Sequence, residues 1–176
     1  MPVKLPRTKV SAIIFLNSES PYPLEKFYYM IKSIFQQYGQ GVEVVIMDQL
    51  NDPAVHDELS KLNTESNPLR CIQGKYSTMG AWLNAAVKHC HGEYILLINN
   101  QRTEVQLKST ATALFLLAAQ RHSAAGLIYA DYEIENNSTA KEIHLLTHHR
   151  GRLRDNQDFG AVYFITKAVW IKVSGV

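Results

Sequence analysis

The chain has 176 residues, 46% of them hydrophobic and 19% charged, with a formal net charge of +2. A chain of this size can bury roughly 70% of its unfolded surface, so one globular domain with a real core is expected. The small net charge gives no basis for a nucleic-acid or anionic-membrane partner, and the two cysteines, Cys71 and Cys90, are too few for a disulfide framework.

The opening MPVKLPRTK followed by VSAIIFL has the basic-then-apolar order of a secretory signal. Its apolar run is short and no small-residue cleavage site follows, so Val10 to Leu16 reads as a first buried strand, with Asn17 at its carboxyl end. No run approaches the ~18 apolar residues of a membrane span, and a soluble, cytoplasmic chain is expected. Leu24 to Tyr38 carries apolar residues at helical spacing and is closed by Gly39 and Gly41. Val42 to Met47 is a second strand running into Asp48, and a helix over 54–62 follows Pro53. Leu69 to Ile72 is a short third strand, and 79–90 a third helix. Tyr94 to Ile98 is an unbroken apolar run, as a strand in a sheet covered on both faces requires. The spacing of Leu107, Ala111, Leu114, Phe115 and Ala118 predicts a helix from Glu104 to His122. Leu127 to Asp131 is a further strand.

From Glu133 to Asp158 the pattern is lost, which indicates a hairpin or an irregular excursion carrying the basic residues Arg150, Arg152 and Arg154. Phe159 to Ile165 is a last strand and Lys167 to Val173 a short helix or turn. The alternation of strand and helix as far as Asp131 argues for an α/β fold with a doubly wound, mostly parallel sheet. In such sheets ligands bind beyond the carboxyl ends of the strands. Asn99, Asn100, Gln101 and Arg102 stand there after the fourth strand, as do Asp48 and Asp131 after two others. His144 and His148 have the spacing of a zinc-binding pair on a helix, but no helix is supported around them.

Three stretches taken in order resemble the family 2 glycosyltransferases, which have the nucleotide-sugar-binding GT-A fold. They are VSAIIFLN at 10–17 with SIFQQY at 33–38, VEVVIMDQLND at 42–52, and GAWLNAAVKHCHGEYILLINN at 80–100. The resemblance implies a protein that binds a nucleotide sugar and transfers the sugar, with inversion, to a glycan or lipid-linked acceptor. It places Asn17 at the base-binding crevice, makes Asp48 a nucleotide contact, matches Asn84 to the asparagine of the family's helix, and sets 99–101 on the DxD metal motif. Asn99 and Gln101 replace the carboxylates of that motif, and Gln49 and Leu50 replace an Asp-Gly pair.

Amide oxygens supply neither the charge nor the second oxygen of a carboxylate, so no manganese or magnesium cofactor is assigned. Arg102, Arg150, Arg152 and Arg154 are instead the candidates to neutralise a sugar donor's diphosphate. No residue matches the family's catalytic base, and Ser174-Gly175-Val176 resembles only the start of the turn that precedes it. The chain is therefore expected to be the front part of a longer protein, with a nucleotide-binding part over 1–131 and the start of an acceptor-side part over 132–176. Apolar surface left uncovered by such a truncation would favour self-association. The alternative expectation is a catalytically silent relative that serves as a binding or scaffolding module.

Overall fold

β1 (Val10–Leu16) and β2 (Val42–Asp48) are buried along their whole length, as strands must be when helices cover both faces of their sheet. The computed structural model describes residues 9–18, 23–37, 41–74, 76–101, 103–136, 139–146 and 157–173. Its remaining elements are α1 (Leu24–Phe35), α2 (Pro53–Leu62), β3 (Leu69–Gln73), α3 (Met79–His89), β4 (Tyr94–Ile98), α4 (Ala111–Arg121), β5 (Leu127–Ile128), β6 (Tyr132–Asn136), β7 (Thr139–Ile143), β8 (Val162–Thr166) and α5 (Lys167–Lys172). Among the described residues, six strands form one sheet in the order β3-β2-β1-β4-β8-β5, and β6 and β7 form a separate hairpin. The first four strands run parallel. β8 enters antiparallel between β4 and β5, so the sheet is mostly parallel but mixed.

Alternation along the strands divides the core in two. Val10, Ala12, Ile14 and Leu16 of β1 face the side covered by α1, α2 and α4, where Phe27, Ile31, Leu59 and Phe115 are buried. Ile13 and Phe15 face the opposite side with Trp82, Leu83 and Ala86 of α3 and Trp170 of α5. The sheet is thus covered on both faces, as expected. Phe164 of β8 ties the last strands to the first layer, stacked between Tyr94 at 5.0 Å and Phe115 at 5.2 Å.

Local chemistry starts two of the helices. Asp52 caps α2 by accepting the Ala54 N–H at 2.8 Å, with Pro53 in the first helical turn. Thr78 caps α3 by accepting the Ala81 N–H at 3.1 Å.

α4 is shorter than the helix expected over 104–122. Gln37, just past α1, is the reason. Its Nε2 donates to the carbonyls of Ser33 at 2.9 Å and Lys108 at 3.0 Å, while its Oε1 accepts from the backbone N–H and the hydroxyl of Thr112 at 2.9 and 3.0 Å. The Leu107 N–H donates to the Ser33 hydroxyl at 3.3 Å. These bonds fix 104–108 against α1 without helical structure, yet Val105 and Leu107 still pack on the core. The strand expected over 127–131 is likewise reduced to Leu127–Ile128, and the irregular stretch after it contains the β6–β7 hairpin. Among the described residues no helix is long and apolar enough to cross a membrane.

Candidate functional site

The chain passes outward from β1 to β2 and β3, then returns to place β4 on the other side of β1. The order of the strands therefore reverses between β1 and β4, and the carboxyl ends of these two strands flank a crevice suited to a ligand. Asn17 follows β1, Asp48 closes β2, Gln73 closes β3, and Asn99, Asn100 and Gln101 follow β4.

The residues after β4 play unequal parts. Asn100 is fully buried; its Oδ1 accepts the Phe15 N–H at 2.8 Å and its Nδ2 donates to the Phe15 carbonyl at 2.7 Å. Backbone pairing of β1 with β4 is registered as far as Ile13 with Leu97, and the Asn100 amide extends the seam by one more pair of bonds. Asn100 is thus a brace of the crevice wall rather than an open ligand contact. Asn99 is exposed, its N–H donated to the Ala161 carbonyl at 2.7 Å, and Asn17 and Gln101 are half-buried.

Asp48 is 1% exposed, and both of its oxygens are engaged. Oδ1 accepts the backbone N–H groups of Leu50 at 2.9 Å and Asn51 at 3.0 Å, which folds the loop tightly and accompanies a left-handed Asn51 at φ 51°. Oδ2 meets His56 Nε2 at 2.5 Å. A base contact made directly by Asp48, expected from the resemblance, would have to displace one of these bonds. His56 and Gln73 escaped the sequence reading although they complete this corner, with Gln73 Nε2 at 3.0 and 3.2 Å from the two imidazole nitrogens. The available signal was position: a polar residue in the first turn of a helix that follows a strand-end loop lies back over that strand end.

Asp131 lies beyond β5, separated from β4 by β8, and is exposed. It accepts His144 Nδ1 at 2.9 Å and the Leu145 N–H at 2.8 Å. The His144 hydrogen bond, helped by the Leu145 N–H, lowers the Asp131 carboxyl, and the same bond raises the imidazole. This pair closes the stem of the β6–β7 hairpin. Asn84 lies in the middle of α3, where its Oδ1 accepts the Trp170 Nε1–H at 3.0 Å and links α3 to α5. Arg102, Arg150, Arg152 and Arg154 lie outside the described residues, as does His148.

The donor set at 99–101 does not suit a divalent cation. Asn100 has committed its oxygen to Phe15, Asn99 and Gln101 offer neutral amides, and among the described residues no group of three or more His, Cys, Asp or Glu side chains could hold a metal ion.

A second polar cluster occupies the opposite, amino edge of the sheet. Glu43 is 1% exposed within β2, and its Oε1 accepts the Ser11 hydroxyl and the His91 N–H, each at 2.5 Å. Its Oε2 faces His91 Nδ1 at 3.0 Å and Arg70 at 3.6 Å. Burial alone would raise this carboxyl, but the hydrogen bonds from Ser11 and His91 outweigh it and hold Glu43 below its ordinary range. Beside it runs an open groove of about 400 Å³ bordered by His91, Tyr94, Lys167 and Ile171. This edge faces away from the strand reversal. Burial pushes the thiols of Cys71 and Cys90 up to about 11 and about 12, so both stay protonated and unreactive at neutral pH.

No protein-family model and no curated protein sequence matches this chain. Solved structures do. The S. aureus TarS fragment 1-349 superposes with a TM-score of 0.62 at 13% identity, over 95% of this chain and 49% of that one. A mannosyltransferase, PcManGT from Pyrobaculum calidifontis in complex with GDP-Man and Mn2+, gives 0.58 at 14% identity, over 96% of this chain and 47% of that one. A CMP:2-keto-3-deoxy-manno-octonic acid synthetase complexed with CTP gives 0.59 at 10% identity, covering 96% and 77%. The fold is therefore that of the GT-A-like nucleotide-sugar and nucleotidyl transferases. Against TarS and the mannosyltransferase, the chain spans about half of the longer protein's length.

Proposed function

We propose that this chain is the nucleotide-binding part of a family 2-type glycosyltransferase, with 1–131 forming the donor half and 132–176 beginning the acceptor side. The observation that carries the reading is the reversal of strand order between β1 and β4, with Asn17, Asn99 and Gln101 around the resulting crevice. The GT-A-like fold, shared with a TarS structure in complex with UDP-GlcNAc, adds support. Side-chain amides both donate and accept, and can hold ribose and sugar hydroxyls without a metal. In the complete protein the sugar passes by inverting displacement to a glycan or lipid-linked acceptor hydroxyl, with a base not assigned in this chain. Charge on the leaving diphosphate is neutralised by guanidinium groups, with Arg102, Arg150, Arg152 and Arg154 as the candidates.

A calorimetric screen against UDP, GDP, dTDP and CMP, each with manganese or with EDTA, tests this. The expected result is binding of one nucleotide with equal affinity in both conditions, weakened in Arg102→Ala and Arg152→Ala. Binding by none of the four contradicts the reading.

Two observations favour a second reading, a catalytically silent binding module: both Asp48 oxygens serve the protein itself, and amides stand at 99 and 101. A chain of this kind would bind a nucleotide sugar without turning it over when joined to its acceptor half. Either form would self-associate through exposed apolar residues such as Leu114, Leu117, Ile171 and Val173, which light scattering would register as a mass above that of the monomer.

A further inference from the structure

We infer that His56, held by Asp48, is the residue that selects the base of the bound nucleotide; the inference rests on the donor-binding role proposed above. Three elements converge to build this corner: Asp48 from the end of β2, Gln73 from the end of β3, and His56 from the first turn of α2. Asp48 and Gln73 are register partners across the β2–β3 pair, so both side chains start from the same level of the sheet.

The hydrogen bonds fix the imidazole's chemistry. Asp48 Oδ1 already accepts two backbone N–H groups, and Oδ2 can only accept, so the 2.5 Å contact requires the proton on His56 Nε2. In the neutral ring that leaves the lone pair on Nδ1. Gln73 Nε2 lies 3.0 Å from Nε2 and 3.2 Å from Nδ1; because Nε2 already donates to Asp48, only Nδ1 can accept from it, and Gln73 is an exposed side chain at a strand end that can rotate away when a ligand arrives. His56 itself keeps 30% of its side chain accessible, whereas Asp48 keeps none. The carboxylate is closed to a ligand and the imidazole is reachable.

An Nδ1 lone pair at this rim selects a base that offers a ring N–H. Uracil presents N3–H, whereas cytosine presents an acceptor at the same position, so a uridine nucleotide gains a bond where a cytidine nucleotide meets two opposed lone pairs. Asp48 then acts as a positioning residue: it sets the tautomer and orients the ring. In the empty site Gln73 Nε2 donates to this lone pair, and an arriving base takes its place.

The test is calorimetric titration of UDP and CDP into the full chain and into His56→Phe and His56→Gln, with thermal melting of each protein as a control. The wild-type chain is expected to favour UDP by roughly tenfold, about the worth of one hydrogen bond. His56→Phe should bring the ratio within about twofold, and His56→Gln, whose amide can donate to Asp48 and accept from the base, should restore part of it. Equal affinity of wild type for the two nucleotides, or an unchanged ratio in a folded His56→Phe, would overturn the inference while leaving nucleotide binding intact. Failure of the wild-type chain to bind either nucleotide would instead remove the donor-binding reading and this inference with it.

Discussion

Asn100 bonds both backbone groups of Phe15 with its side-chain amide, at 2.8 and 2.7 Å, and so joins the end of β4 to the end of β1 where the crevice opens. A carboxylate at this position could accept the Phe15 N–H but would face the Phe15 carbonyl with a lone pair. An amide is the side chain that matches both groups at once.

Replacing Asn100 with Leu should therefore destabilise the fold by about 2–4 kcal/mol, because two buried backbone groups lose their partners. Asn100→Asp should also destabilise, through the opposed oxygen atoms. Urea denaturation of the purified variants checks this, and a midpoint unchanged from wild type in Asn100→Leu would rule out the bracing role.

Gly92 sits where β4 approaches β1. A Cβ there would fall 2.7 Å from the Ser11 backbone nitrogen and 2.8 Å from the Val10 carbonyl carbon, so Gly92→Ala must push two strands apart. A loss of about 1–3 kcal/mol is expected by the same denaturation assay. Gly160 is glycine for a different reason, its φ of +73°, and Gly160→Ala should cost about 1–2 kcal/mol with no clash as severe.

Glu43 makes stability depend on acid. Its carboxyl is held below the ordinary 4.5, so the folded state prefers the ionised form. The contribution is complete above the unfolded value and disappears as pH falls through the depressed folded value. Wild type should lose stability across that acid interval, and Glu43→Gln should show a flatter acid limb on a lower plateau. Parallel limbs in the two proteins would show that other carboxylates dominate.

The exposed pair of His144 and Asp131 gives a signal readable by NMR. His144 should titrate above 6.5, and Asp131→Asn should bring it back toward that value. Any stability from this pair is present below the unfolded histidine value and fades as pH rises through the raised one. Coincident titration curves in wild type and Asp131→Asn would exclude the contact in solution.

Much of the sheet was legible because burial writes itself into strands. VSAIIFL, VEVVIMD and YILLI are apolar runs that need covering on both faces, and they became β1, β2 and β4. The start of α4 was not legible: Val105 and Leu107 satisfy the helical spacing, yet Gln37 and Ser33, distant in sequence, take up the neighbouring backbone bonds. Nor did local pattern reveal that β8 would enter antiparallel, since direction is set by the connection before it rather than by its own residues. At the candidate site, position along the chain located Asn17, Asp48 and Asn99 at the carboxyl edge. It could not say that Asp48 and Asn100 spend their hydrogen bonds on the protein. Glu43 did carry a signal: a charge inside a buried strand demands partners, here Ser11, His91 and Arg70.

The central claim is that a nucleotide binds at the carboxyl ends of β1, β2 and β4, and backbone-amide NMR during a UDP titration in EDTA tests it most directly. The account predicts saturable shifts centred on Asn17, Gln49, His56, Asn99 and Gln101, with the amino-edge residues His91 to Tyr94 unmoved. Shifts concentrated along the groove at His91, Tyr94 and Lys167, or no saturable shifts at all, would contradict it.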